Sequence, residues 1–194
     1  MASPRYIVGL GNPGERYAHT RHNFGFLCVE HFFQRHRGKR QAPHPLYESA
    51  LCRLGNKEVL LVKPRTFMNE SGKAVAALDV EEDESLTVVH DDLDLRFGIL
   101  RLKQGGGDGG HKGVHSIMEN LQTDDFARLR LGIRGADKPA DATEYVLENF
   151  LDDEVAELPR ILDRSCDAIE VALTHGVREA MNRFNERNPE TPET

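Results

Sequence analysis

Four side chains have the chemistry of a hydrolytic centre: His22, Asp91, Asn12 and Asn69. A histidine beside a carboxylate is a general base whose tautomer is set and whose protonated form is favoured. Two asparagine amides can donate hydrogen bonds to a carbonyl, or to the oxyanion it becomes, without titrating. Each of the four lies just past an apolar run that reads as a strand, or where a helical pattern opens. Such positions gather along one edge of an open α/β sheet. On its own, His22 would read as a solvated residue behind a helix-capping Thr20; the other polar clusters favour chemistry. No serine stands in a Gly-x-Ser-x-Gly turn, so water is the expected nucleophile rather than an acyl-enzyme.

Three other patterns compete for a role. Gly9-Leu10-Gly11-Asn12-Pro13-Gly14 matches Gly-x-Gly-x-x-Gly, the phosphate turn of dinucleotide folds. A dinucleotide site also needs a helix starting inside the motif and an acid at the end of a second strand. Here Pro13 and a loop over residues 15–20 intervene, and Glu30 falls in a helical pattern. His22, His90, Asp91, Asp92, Asp94 and His111 are possible metal ligands. They lack His-x-Glu or paired-histidine spacing, so no metal is expected, and Asp92 and Asp94 read as anchors of a turn. Residues 105–113 contain six glycines, which let a backbone approach a ligand with its N–H groups free to donate. They lack the Gly-Lys-Ser/Thr ending of a P-loop.

The elements that must position these residues are read from periodicity and turn chemistry. Strands are expected over residues 5–10, 46–54, 59–62, 86–89, 99–103 and 126–133, with a short edge element over 144–150. Helices are expected over 21–37, 72–78, 115–121, 154–175 and 177–185. Asn69 or Ser71 caps the second of these, and Pro159 falls in the first turn of the fourth. Residues 38–45 read as a basic loop and 81–84 as an acidic turn. The fold class is α/β, a single domain over residues 1–187 with a mixed twisted β-sheet and helices on both faces. Residues 188–194 form a polar tail.

Hydrophobic residues make up 39% of the chain and charged residues 29%, as suits a soluble globular protein. No apolar run reaches the roughly 20 residues of a membrane span, and the N-terminus has no signal-peptide pattern. Cys28, Cys52 and Cys166 are far apart and odd in number, which points to reduced thiols and a cytoplasmic location. The net charge of −7 argues against a nucleic-acid partner, but its distribution does not. Residues 1–78 carry +7 and 95–134 carry +3, while 79–94 carry −8 and 135–194 carry −9. The two basic blocks are expected to meet on one face and hold a polyanion.

Five motifs then stand in register: Asn12-Pro13-Gly14, Tyr17-x-x-Thr20-Arg21-His22-Asn23-x-Gly25, Thr66-Phe67-Met68-Asn69-x-Ser71-Gly72, His90-Asp91-Asp92-Leu93-Asp94, and the glycine run 105–113. In this order the chain resembles the bacterial peptidyl-tRNA hydrolase family from about residue 6 to residue 185. The resemblance implies a monomeric esterase without metal or cofactor. Such an enzyme cleaves the bond between a stalled peptide and its tRNA, with no stable protein partner. It implies His22 as the base, Asp91 as its partner, and Asn12 and Asn69 as ligands of the peptide and carbonyl. Tyr17, Phe67, Met68 and His111 would line the cleft, and Lys112, beside His111, is a further candidate contact for substrate or tRNA. Lys103 and Arg130 match basic positions for the tRNA 5′-phosphate, with Arg101 beside them. The chain departs from the family pattern at Lys112, where asparagine is usual, at His115, where lysine or arginine is usual, and in its acidic total charge.

Overall fold

The computed structural model describes residues 5–78, 80, 86–137 and 139–185. One seven-stranded sheet runs through the molecule. At its centre is β1 (Arg5–Gly9), parallel to β4 (Lys57–Pro64) and to β5 (Leu86–Arg96). Beyond β5 come β7 (Ala127–Arg134), parallel to it, and β6 (Leu100–Gln104), antiparallel to β7 at one edge. Beyond β4 come β3 (Tyr47–Leu54) and the two-residue β2 (Lys39–Arg40), both antiparallel, at the other edge.

Alternation along the strands makes two cores, one on each face. Ile7 of β1 packs with Cys28, Val29 and Phe32 of α1 (Phe24–Arg35) and with Ile169 of α5 (Asp152–His175). Its neighbour Val8 points the other way. It joins Val75 of α2 (Ser71–Ala76) and Val114 and Ile117 of α3 (Lys112–Leu121). A short α4 (Ala142–Val146) and a final α6 (Val177–Phe184) complete the set. The mixed sheet with helices on both faces is the expected architecture.

Several boundaries differ from those expected, each for a tertiary reason. Residues 39–40 pair with Leu51 and Ala50 as a strand instead of looping. Strand β5 does not stop at Val89: His90, Asp91 and Asp92 stay paired with Arg130, Leu131 and Gly132 of β7. Their polar side chains continue the strand because they find buried partners. Residues 144–150 are not an edge strand; α4 occupies them up to Val146, and only Asn149 makes a bridge, to Thr20. Thr20 does not cap α1, since its hydroxyl donates to the Tyr17 carbonyl (2.9 Å) and a 3-10 turn over Arg21–Asn23 comes first. Neither Asn69 nor Ser71 caps α2; Asn69 sits in the preceding 3-10 turn Met68–Glu70 and Ser71 bonds back to the Met68 carbonyl (2.9 Å). Helix α3 begins three residues early because His111 caps it. Pro159 lies two turns into α5, which begins at Asp152. The expected acidic turn at 81–84 and the polar tail lie outside the described residues.

A buried ion pair ties the start of α1 to the start of α5. The Arg21 guanidinium lies 2.7 Å from the Glu154 carboxylate and over the Tyr145 ring (4.5 Å). Glu154 also accepts the Leu151 N–H at 2.8 Å, which fixes the helix start. Removing one member of such a pair leaves the other buried and unpaired. Glu154→Ala should therefore lower the unfolding free energy by roughly 3–5 kcal/mol, read by urea denaturation. A loss below about 1 kcal/mol, typical of an exposed pair, would contradict this account of the contact.

Candidate active site

The turn after β1 is built by close packing. A Cβ at Gly9 would lie 2.3 Å from the Gly25 carbonyl, one at Gly11 would lie 2.6 Å from the Phe26 ring, and one at Gly25 would lie 2.3 Å from the Val89 carbonyl. The glycines let α1 press onto β1 and β5, and α1 starts only at Phe24. They do not form a phosphate turn opening a helix, so the dinucleotide reading fails on geometry.

That packing brings Asn12 to a fixed place. Its backbone N–H donates to Asn23 Oδ1 (2.8 Å), and Asn23 Nδ2 donates back to the Asn12 carbonyl (3.0 Å). Asn12 Oδ1 accepts the Met68 N–H at 2.8 Å. The bond to Met68 identifies the amide oxygen, so the Nδ2 end of Asn12 is the one available to the cleft that Asn12 lines. Sequence reasoning missed Asn23 in this role, although it directly follows His22 in the motif.

Asp91 is the hub. Its Oδ1 accepts from His22 Nδ1 at 2.9 Å and from His111 Nε2 at 3.0 Å. The tautomers follow from the partners. His111 Nδ1 accepts the N–H groups of Gly113 (3.2 Å) and Val114 (3.3 Å), so its proton is on Nε2. His22 gives its Nδ1 proton to a carboxylate, so in the neutral ring Nε2 holds the lone pair. Burial pushes the Asp91 carboxyl upward, but the His22 and His111 charges and hydrogen bonds outweigh it and hold it well below the usual carboxylate range.

His90, weighed from the sequence only as a possible metal ligand, lies beneath. It is 3% exposed and donates from Nδ1 to the Asp91 carbonyl (2.7 Å), with its ring edge-on to His111 (4.7 Å). Burial, reinforced by His111 nearby, pushes its pKa down to about 3, so it stays neutral.

His22, Asp91 and His111 have ligand atoms within 4.8 Å of one another, close enough for a metal ion. His111 argues against that use, because its Nδ1 accepts the Gly113 and Val114 N–H groups, which leaves the proton on the Nε2 that faces Asp91.

A cleft of about 740 Å³ opens above this cluster. It is lined by Asn12, Tyr17, His22, Phe67, Met68, Asn69, Asp91, His111 and Lys112, which the sequence pointed to, and also by Asp108, Gly109, Gly110, Val146 and Leu147. Phe67 is 53% exposed on one wall, and Lys112 is exposed as the first residue of α3. Arg101, Lys103 and Arg130 are not in the cleft. They stand beside it on β6 and β7, where Arg101 faces Arg130 and Lys103 faces Arg128. Arg130 pairs with Asp92 at the cleft wall, and Asp92 also accepts the Asp94 N–H (2.9 Å), the expected turn anchor. Burial, with the neighbouring Arg128 and Arg130 charges, lowers the Lys103 pKa.

Parts of the two basic blocks stand on opposite edges of the sheet. Arg40, Arg53 and Lys63 of the first block stand toward the β2 edge and are paired with Glu30 and Glu58. Arg101, Lys103, Arg128 and Arg130 of the second block stand at the opposite edge, on β6 and β7, while Lys112 of the same block heads α3.

The pH dependence of stability follows from His90. The unfolded chain protonates this side chain below about pH 6.5, while the folded chain keeps it neutral until near pH 3, so stability falls with pH across that window. Asp91 acts in the same direction but lower down: its stabilisation is present above the usual carboxylate range and is lost as pH falls toward its depressed value. Between pH 6.5 and 4.5 the His90 contribution should amount to roughly 2–3 kcal/mol. His90→Gln should flatten the pH dependence of urea unfolding in this range, and a slope as steep as that of the wild type would contradict the assignment.

Comparison with known proteins agrees with the fold. The family model described as peptidyl-tRNA hydrolase matches residues 6–192. The chain is 47% identical over 183 residues to a peptidyl-tRNA hydrolase of Chloroflexus aggregans, covering 92% of this chain and 97% of that protein. It is 43% identical over 189 residues to a peptidyl-tRNA hydrolase of Mycobacterium bovis, covering 95% and 99%. A crystal structure of peptidyl-tRNA hydrolase from Acinetobacter baumannii superposes with a TM-score of 0.85 at 32% identity, covering 96% of each chain. The chain belongs to the peptidyl-tRNA hydrolase family.

Proposed function

We propose that the protein hydrolyses the ester between a peptide and the 3′-terminal ribose of tRNA, releasing both and returning tRNA from stalled or aborted translation. The observation that carries this reading is the His22–Asp91 pair, 2.9 Å apart, facing a cleft that Asn12 and Asn69 also line. His22 Nε2 takes a proton from water as the water attacks the ester carbonyl. The tetrahedral oxyanion is held by the Asn69 amide and by backbone N–H groups of the glycine loop. Asp91 orients His22 and stabilises the imidazolium. That imidazolium then protonates the departing ribose oxygen, which closes the proton balance. Asn12 holds the peptide, against Phe67 and Met68. No cofactor enters the scheme.

For the nucleic acid, Tyr17 stacks on the terminal base while Lys103, Arg130 and Arg101 hold phosphate. The protein acts as a monomer in the cytoplasm. The free buried thiols of Cys28, Cys52 and Cys166 support a reducing compartment. Among the described residues no helix is long and apolar enough to cross a membrane.

His22→Ala should lower the rate of peptidyl-tRNA cleavage by roughly 100-fold or more while tRNA affinity stays within about twofold, because a base acts on the chemical step. A variant keeping a tenth of the wild-type rate would remove His22 from the role. Binding of tRNA should weaken as salt rises, despite the acidic total charge. Lys103→Ala and Arg130→Ala should each reduce the salt slope by about one charge-equivalent. Unchanged binding of both variants at low salt would place the phosphate contacts elsewhere.

A further inference from the structure

A buried cation lies behind the glycine loop with no role in the scheme above. Arg128 is 1% exposed, and the face of its guanidinium rests on the Phe126 ring at 4.7 Å. Arg130, two residues on, meets the Asp92 carboxylate. Arg128 instead donates to carbonyl oxygens, from Nη1 to Gly107 at 2.7 Å and from Nη2 to Gly106 at 2.6 Å and Asp124 at 3.3 Å, with Met118 Sδ at 3.7 Å. Burying a charge on such partners is costly, and the segment they hold needs an anchor. Gly105, Gly106, Gly109 and Gly110 have φ of 65°, 86°, 62° and 78°, and glycine loses the most conformational freedom on ordering.

From these bonds a path of direct contacts leads to the reacting pair. In a trans peptide the N–H of the next residue points opposite to the carbonyl. Gripping the Gly106 and Gly107 carbonyls therefore turns the Gly107 and Asp108 N–H groups away from Arg128. Asp108 then accepts the His111 N–H on its carbonyl (3.1 Å) and the Gly110 N–H on its side chain (2.7 Å). His111 donates to Asp91, and Asp91 holds His22. Residues 108–111 are also the part of the loop that lines the cleft.

We propose that Arg128 is a positioning residue for the hydrolytic centre: its hold on the Gly106 and Gly107 carbonyls sets the loop that carries Asp108 through His111 along the cleft. The proposal rests on the reading of His22 and Asp91 as the reacting pair.

The test compares full-length wild type, Arg128→Met and Arg128→Lys on an N-acetyl-aminoacyl-tRNA, with amide hydrogen exchange followed in parallel. Arg128→Met, folded by circular dichroism and a cooperative melt, should lose about 10-fold to 100-fold in kcat with KM within about threefold. Exchange across residues 105–111 should accelerate while β1 and α1 keep wild-type protection. Arg128→Lys, which keeps one donor, should retain more kcat than Arg128→Met. A folded Arg128→Met with wild-type kcat overturns the proposal, and so does a rise in KM alone, which would make Arg128 a tRNA contact. If Arg128→Met does not fold, Arg128→Lys carries the test: a loss of kcat with faster loop exchange supports the proposal, and wild-type kcat overturns it. His22→Ala separates the two readings, since it should lose turnover while loop exchange stays as in the wild type.

Discussion

One buried carboxylate organises this protein. Asp91 has 2% of its surface exposed and sits within a sheet strand, where an ionised group is stable only if it is fully hydrogen-bonded. Its Oδ1 receives two N–H donors from two directions, His22 at the head of α1 and His111 at the head of α3. These helices lie on opposite faces of the sheet, so the two cores meet at this oxygen. The geometry also divides the labour. His111 spends its second nitrogen on capping α3 and is locked as a donor, whereas His22 keeps Nε2 for the cleft. His90 below is held neutral by burial.

The remaining contacts hold the two helix heads in register. The three glycines at the crossing of β1, β5 and α1 remove the side chains that would push α1 away. The reciprocal Asn12–Asn23 bonds tie the loop after β1 to the residue after His22, and the Arg21–Glu154 pair ties the residue before it to α5. His22 is thus bracketed on both sides by buried polar contacts. On the other helix head, the loop leading to His111 is held from behind by Arg128. Under the proposed mechanism, preorganisation of this kind would remove the cost of arranging the reacting groups at each turnover.

Much of this was legible in the sequence because apolar runs, glycine turns and helical spacing are local signals. The buried strands at 59–62 and 86–89 and the long helix ending at His175 announced themselves that way. His90 through Asp94 did not read as strand, because nothing local says that a polar run will be buried. The caps assigned to Thr20 and Ser71 were chemically reasonable, but both hydroxyls found closer carbonyls. Charge blocks along the chain say little about which residues share a face. Strand order decides which edge a basic strand residue occupies, and the order β2-β3-β4-β1-β5-β7-β6 separates Arg40 and Arg53 from Arg101, Lys103 and Arg130. Arg128 was invisible for the same reason, since an arginine alternating with leucines on an edge-side strand looks like any solvated cation until the loop is folded over it.

The central claim, that one Asp91 oxygen receives N–H donors from both histidines, is tested most directly by the imidazole nitrogens. Long-range ¹⁵N–¹H NMR of the free protein in mildly alkaline buffer reports which ring nitrogen carries each proton. The account predicts neutral rings with His22 protonated on Nδ1, His111 on Nε2 and His90 on Nδ1, and a single change of His22 and His111 environment on Asp91→Asn. A spectrum with His22 protonated on Nε2, or His111 on Nδ1, would contradict it.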